Sequence, residues 1–135
     1  MPLMMWNDQL SVGIRSIDED HKKLVGLIND LYDEIIAGRG RANIAQHTDD
    51  LYEYTQFHFA REEKFFAQTG YLGAEAHKKE HEKFLAWITE VQARCKSGSP
   101  PLTLDVMVFL NDWLFDHILH ADKEYRSHLN DMGIY

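Results

Sequence analysis

The stretch HFAREEKFFAQTGYLGAEAHKKEH runs from His58 to His81. Within it His58 and Glu62 stand four residues apart, and so do His77 and His81. Side chains at that spacing share one face of an α-helix. Gly70 and Gly73 mark a turn between the two pairs. Two consecutive helices therefore each carry a polar pair close to the turn that joins them, and the fold has to account for it.

Working outward, four helical stripes emerge. SIDE, Ser16 to Glu19, reads as a capping box, a hydroxyl and a carboxylate three residues apart at a helix start. Behind it His21, Leu24, Val25, Ile28, Leu31, Tyr32 and Ile35 recur at spacings of three and four, the pattern of an amphipathic helix. GRG, Gly38 to Gly40, should stop that helix. The second runs from about Ala42 to Gln68, with Ile44, Leu51, Thr55, His58, Glu62 and Phe65 facing inward. The third starts near Gly73 and carries His77, His81, Phe84, Leu85, Ile88, Val91 and Cys95. It ends at SGSPP, Ser97 to Pro101, since proline removes a helix donor and clashes with the preceding turn. Thr103 is a suitable N-cap for the fourth. Its stripe is Val106, Leu110, Trp113, Leu114 and His117, and the pattern fades after Leu129. The expected fold is all-α: an up-down-up-down four-helix bundle over about 17–130, with an N-terminal arm over 1–16, in a single domain over 1–135.

Composition narrows the function classes. Apolar residues at 44% and charged residues at 27% are ordinary globular values. The net charge of −8 argues against nucleic acid or an anionic membrane as partner, because binding phosphates needs clustered positive charge. Cys95 is the single cysteine, which rules out an intrachain disulfide and fits a reducing, cytoplasmic setting. It continues an apolar stripe and reads as a plain buried residue. MPLMMWNDQLSVGI lacks the basic start and apolar run of a signal peptide. No stretch approaches the roughly 20 apolar residues of a spanning helix.

An alternating bundle fixes depth. His21 lies near the start of the first helix, His58 and Glu62 near the end of the second, and His77 and His81 near the start of the third. His117 lies late in the fourth, with Asp122 beyond it. In an up-down-up-down bundle all these places fall at one end. A buried polar group is costly unless satisfied, and a buried carboxylate far more so. Neutral imidazoles and carboxylates are rich in acceptors and short of donors, so they cannot easily satisfy one another. Cations among them would. Imidazole suits iron, zinc, copper and nickel, and mixed imidazole–carboxylate sets are common for iron; calcium and magnesium prefer oxygen alone, and seven such ligands exceed one tetrahedral zinc site.

The residues that carry this argument resemble the hemerythrin family, and specifically its single-domain bacterial members. They are His21 in IDEDHKKL, His58 and Glu62 in HFARE, His77 and His81 in HKKEH, and His117 and Asp122 in HILHAD. The arm WNDQLSVGI is also similar. Two positions depart from the bacterial pattern: Asp20 stands where a glutamine often precedes the first histidine, and Phe65–Phe66 where a methionine often follows.

The resemblance implies reversible O2 binding at a non-haem di-iron centre with an oxo or hydroxo bridge, for oxygen transport, storage or delivery. It implies His77, His81 and His117 on one iron, His21 and His58 on the other, and Glu62 and Asp122 bridging both. Two octahedral irons with three bridges and five histidines leave one position open, on the iron held by two histidines. Leu24, Phe59, Trp113, Leu114 and Ile118 are the expected lining of a dry O2 pocket. The expectation is a monomeric carrier rather than an enzyme, with its recipient unidentified.

One spacing needs a local device. His117 and Asp122 are five apart, which on a regular helix puts them about 140° off a common face. A π-bulge would bring both inward. His120 competes for the inward place but leaves the bridge without a carboxylate, and reads as exposed or as a support behind the ligands. HKKEH also matches the H-x-x-E-H zinc-hydrolase pattern, with Glu80 as general base, but that leaves the other five polar residues unused. A di-iron oxidase, a peroxide- or nitric-oxide-handling protein, a redox sensor and iron storage are alternatives on the same site. His47 and His128 read as surface residues far from it.

Overall fold

A computed structural model describes residues 4–38, 41–97 and 104–135, and for 41 and 104–106 the backbone alone. Among these the regular structure is all helical, with no strand. A short 3-10 turn, Asp8–Leu10, precedes α1 (Arg15–Ala37), α2 (Arg41–Thr69), α3 (Ala74–Ser97) and α4 (Leu104–Asp116). A π-helical segment, His117–Asp122, continues α4, and α5 (Arg126–Asp131) closes the chain. α2 packs against both α1 and α3, and α4 against α1. This is a four-helix bundle.

The apolar stripes form its core. Leu24, Ile28 and Leu31 of α1, Leu51 and Phe59 of α2, Phe84 and Ile88 of α3, and Leu110 and Leu114 of α4 are all buried. Some stripe positions differ from expectation: Tyr32, Ile35 and Leu85 are half-buried. On α2 it is Phe66 that is buried, while Phe65 is half-buried. Trp113 is half-buried as well. Gly38 ends α1 in the left-handed conformation (φ 64°), its N–H donating to the Glu34 carbonyl, and Gly70 (φ 66°) follows α2 in the same way. Both are places where a Cβ would be strained. Arg39, Gly40, the breaker from 98 to 101 and the Thr103 cap lie outside the described residues, as does the side chain of Val106.

The start of α1 differs from the expected capping box. The helix begins at Arg15, so Ser16 lies inside it, and the N-cap is Ile14 with no side-chain bond. Asp18 instead reaches backward. Its carboxylate accepts from the Val12 N–H at 2.8 Å and the Ser11 hydroxyl at 2.6 Å. That folds the arm onto the bundle, where Met4, Leu10, Val12 and Ile14 are buried. The Met4 N–H and carbonyl pair with the Asn29 side chain at 2.9 and 2.8 Å. The arm is thus an integral cover on α1.

Candidate metal centre

The four long helices bring His21, His58, Glu62, His77, His81, His117 and Asp122 to one level of the core, each at most 6% exposed. His21 is early in α1, His58 and Glu62 late in α2, His77 and His81 early in α3, and His117 just past α4, so the meeting itself requires alternating helix directions. The π-helical segment spans His117 to Asp122. Its i→i+5 bonding turns both residues inward despite their five-residue spacing. Asp122 is fully buried and His120 is exposed.

The seven residues fall into two overlapping groups. Glu62, His77, His81, His117 and Asp122 offer atoms within 4.8 Å of one another, and so do His21, His58, Glu62 and Asp122. Glu62 and Asp122 belong to both. Asp122 lies 3.0 Å from His21 Nε2 in one group and 2.9 Å from His117 Nε2 in the other. Glu62 Oε1 lies 3.2 Å from both His58 Nε2 and His81 Nε2.

These approaches are short, yet most are not hydrogen bonds. Glu62 Oε1, both Asp122 oxygens and the Nε2 atoms of His77, His81 and His117 are buried without a hydrogen-bond partner. They converge without satisfying one another, and unsatisfied buried polar atoms are rare and expensive. A convergent set of imidazole nitrogens and carboxylate oxygens is what a pair of borderline transition-metal ions would satisfy. The donor set fits two such ions sharing the carboxylates.

The outer faces of the ligands are held too. His58 Nδ1 lies 3.0 Å from Asp20, His81 Nδ1 3.1 Å from Glu63 and His117 Nδ1 3.0 Å from Glu80. A carboxylate there fixes the tautomer and leaves Nε2 as the donor atom. The Tyr125 hydroxyl, fully buried, donates to Glu62 Oε2 at 2.5 Å. Aromatic faces cover the rings: Phe59 stacks on His81 at 3.7 Å between centroids, and Trp113 on His117 at 4.7 Å.

Electrostatics follow from this packing. Burial alone would lower the histidines, but the Glu62 charge and the Asp20 bond outweigh it at His58, raised to about 9. At His77 the approach of Asp122 and Glu62 does the same, to about 10. Burial would raise the Glu62 carboxyl, and His58, His77 and His81 instead hold it well below the usual carboxylate range. The folded values of His58 and His77 exceed the ordinary histidine value of about 6.5. Their protonation therefore stabilises the metal-free fold fully below about 6.5, and that stabilisation is lost as pH rises through about 9 and 10. Metal must displace these protons. Loading the metal-free protein at pH 7.5 is expected to release protons, and to tighten as pH rises through that window. Titration calorimetry in buffers of different ionisation enthalpy checks this, and uptake with no buffer dependence would contradict it.

An apolar cavity of about 10 Å³ lies one turn from His21 and His58 along their own helices, walled by Leu24, Ile28, Leu51, Thr55, Phe59, Phe84, Trp113 and Leu114. That is room for about one water-sized molecule. The Thr55 hydroxyl spends its donor on the Leu51 carbonyl at 2.7 Å, which leaves the wall largely apolar. Leu24, Phe59, Trp113 and Leu114 are where the sequence predicts them. Ile118 is not: it is fully buried but does not line the cavity, and Ile28, Leu51, Thr55 and Phe84 complete the wall.

Sequence reasoning missed four supporting residues. Asp20 reads as one of several acids at a helix start, where the dipole favours negative charge, yet it is buried against His58. Glu80 touches His117 from outside, and Glu63 touches His81 likewise. Tyr125 carried a usable signal, since Asp122, Tyr125 and Leu129 continue the three-and-four spacing. His128 is half-buried, its Nε2 donating to the Thr69 carbonyl at 2.9 Å, while His47 is half-buried with its Nε2 3.9 Å from Glu34.

A bundle whose core holds five histidines and two shared carboxylates defines a class of dinuclear metal-binding helical proteins. The family model for the hemerythrin HHE cation binding domain matches residues 12–129. A bacteriohemerythrin of Pseudomonas aeruginosa is 38% identical over 125 residues, covering 93% of this chain and 80% of its own. A myohemerythrin of Riftia pachyptila is 32% identical over 93% of this chain and 92% of its own. The crystal structure of a wild-type hemerythrin matches with a TM-score of 0.89 at 31% identity, covering 94% of this chain and 98% of the other. The chain belongs to the hemerythrin family.

Proposed function

We propose that this protein binds O2 reversibly at a non-haem di-iron centre, as a carrier or store rather than an enzyme. Family membership supports the activity, and the observation that carries the site is the pair of ligand groups sharing Glu62 and Asp122. His77, His81 and His117 would hold one iron and His21 and His58 the other. Glu62 and Asp122 would bridge, with an oxo or hydroxo bridge as the remaining link. When bound, the iron pair supplies the two electrons that reversible O2 binding needs.

The protein's own part is to position and protect. Five neutral imidazoles and only two carboxylates make a less anionic donor set than the carboxylate-rich sites of ferritin-like oxidases. That composition favours holding O2 over cleaving it. The small apolar cavity one turn from His21 and His58 would give a small apolar molecule a dry approach to the half of the centre that those two histidines would hold. Tyr125 steadies the Glu62 carboxylate, and the stacked faces of Phe59 and Trp113 stop the His81 and His117 rings from rotating. All seven ligands come from one chain, which supports a monomer as the working unit, and we place it in the cytoplasm. Among the described residues no helix is long and apolar enough to cross a membrane. The zinc-hydrolase reading loses its base, because the Glu80 carboxylate is engaged by His117.

The test is an optical cycle. Protein reduced without air should be nearly colourless, gain a visible band when O2 is admitted, and lose it when O2 is stripped. Irreversible conversion to an oxidised spectrum on first exposure would favour an oxidase, scavenger or redox sensor, and no visible change would remove iron from the reading.

A further inference from the structure

Three of the clustered histidines have a carboxylate on the outer nitrogen, and the three carboxylates are not equivalent. The Glu80 side chain on His117 is 50% exposed and Glu63 on His81 is 32% exposed, whereas Asp20 on His58 is 4% exposed. Water screens an exposed charge and hardly screens a buried one. Asp20 also has company. The Tyr54 hydroxyl donates to its Oδ1 at 2.9 Å, and Arg61 Nε lies 3.4 Å from the same Oδ2 that faces His58. In the same ligand group the outer nitrogen of His21 is buried and has no hydrogen-bond partner. The two-histidine half of the centre thus has one buried anion behind it, and that anion is itself held by two donors from α2.

We infer that Asp20 is a positioning residue that sets the electron-donating strength of His58, with Tyr54 and Arg61 holding that strength in check. The inference rests on the di-iron reading and adds the residue that tunes one half of it. A carboxylate accepting the Nδ1 proton of His58 keeps the ring in one tautomer and draws that proton toward itself, leaving Nε2 more basic. A more basic nitrogen favours the more highly charged metal ion. The Tyr54 O–H and the Arg61 guanidinium draw charge from the same carboxylate, so removing either makes Asp20 a stronger acceptor. The two kinds of substitution must act with opposite signs, which a general loosening of the site would not produce.

The test compares Asp20→Asn, Tyr54→Phe and Arg61→Gln by mediated electrochemical titration of the iron-loaded proteins without oxygen, the electrode supplying the electrons. Asp20→Asn should raise the midpoint potential and weaken metal retention about tenfold. Tyr54→Phe and Arg61→Gln should lower the potential. Arg61 is partly exposed, so its variant has least reason to misfold. In parallel, zinc-loaded wild-type protein should give a slowly exchanging His58 Nδ1 proton resonance that Asp20→Asn lacks. An unmoved potential in Asp20→Asn, or shifts of one sign in all three variants, would overturn the inference. Failure of the wild type to take up iron would sink the di-iron reading instead, and the zinc-loaded resonance would then decide whether Asp20 positions His58.

Discussion

Asp122→Ala is expected to strip the centre of at least half its iron, and Glu62→Ala to do the same. Each carboxylate touches both ligand groups. Asp122 approaches His21 on one side and His77 and His117 on the other, all within 3.0 Å. Glu62 approaches His58 and His81, both at 3.2 Å. If both bridge as proposed, losing either would remove one ligand from both metals at once and also one of the two negative charges that offset them. His58, His77 and His117, raised by those charges, then keep less of their metal-free stabilisation too. Iron per chain measured beside circular dichroism separates loss of metal from loss of fold. Full iron content in a folded variant of either kind would refute the bridging assignment. His47→Ala is the control, since His47 sits by Glu34 away from both ligand groups, and it should leave iron content unchanged.

Phe59→Ala should destabilise the metal-free protein by about 3–5 kcal/mol, the usual cost of deleting a buried phenylalanine. Phe59 is 3% exposed, stacks on His81, and lies 6.0 Å from Phe84 between ring centroids. It also walls the apolar cavity. The deletion should therefore join the cavity to a larger void that admits water. Denaturant unfolding reads the first effect. The second should appear as faster decay of the oxygenated spectrum, with Phe59→Leu lying between wild type and alanine. A variant as stable as the wild type would mean the stacking on His81 does not hold the core.

Much of the site was legible because a helix converts spacing into direction. His58 with Glu62 and His77 with His81 announced their shared faces, and alternation of the helices set their common depth. The five-residue gap from His117 to Asp122 was legible as a problem, and the π-helical segment is its solution. Where reading failed, the missing information was lateral. Ser16 looked like a cap because its spacing to Glu19 was right. Asp18 found better partners in an arm whose path the local sequence does not dictate. Ile118 looked like pocket lining because it adjoins His117, yet in the π-helical segment adjacency in sequence no longer predicts direction.

The sequence by itself determined most of the inward stripes, the four long helices and which chemistry meets in the core, since periodicity and burial costs are properties of the chain. Only the tertiary structure decided which carboxylate backs which imidazole, because those contacts join helices distant in sequence. Asp20 meets His58 across 38 residues, Glu80 meets His117 across 37, and Tyr125 meets Glu62 across 63. No local rule orients a side chain toward a partner that far along the chain. The packing of one helix against the next does so, and it left Asp20 buried while Glu63 and Glu80 kept their contact with water.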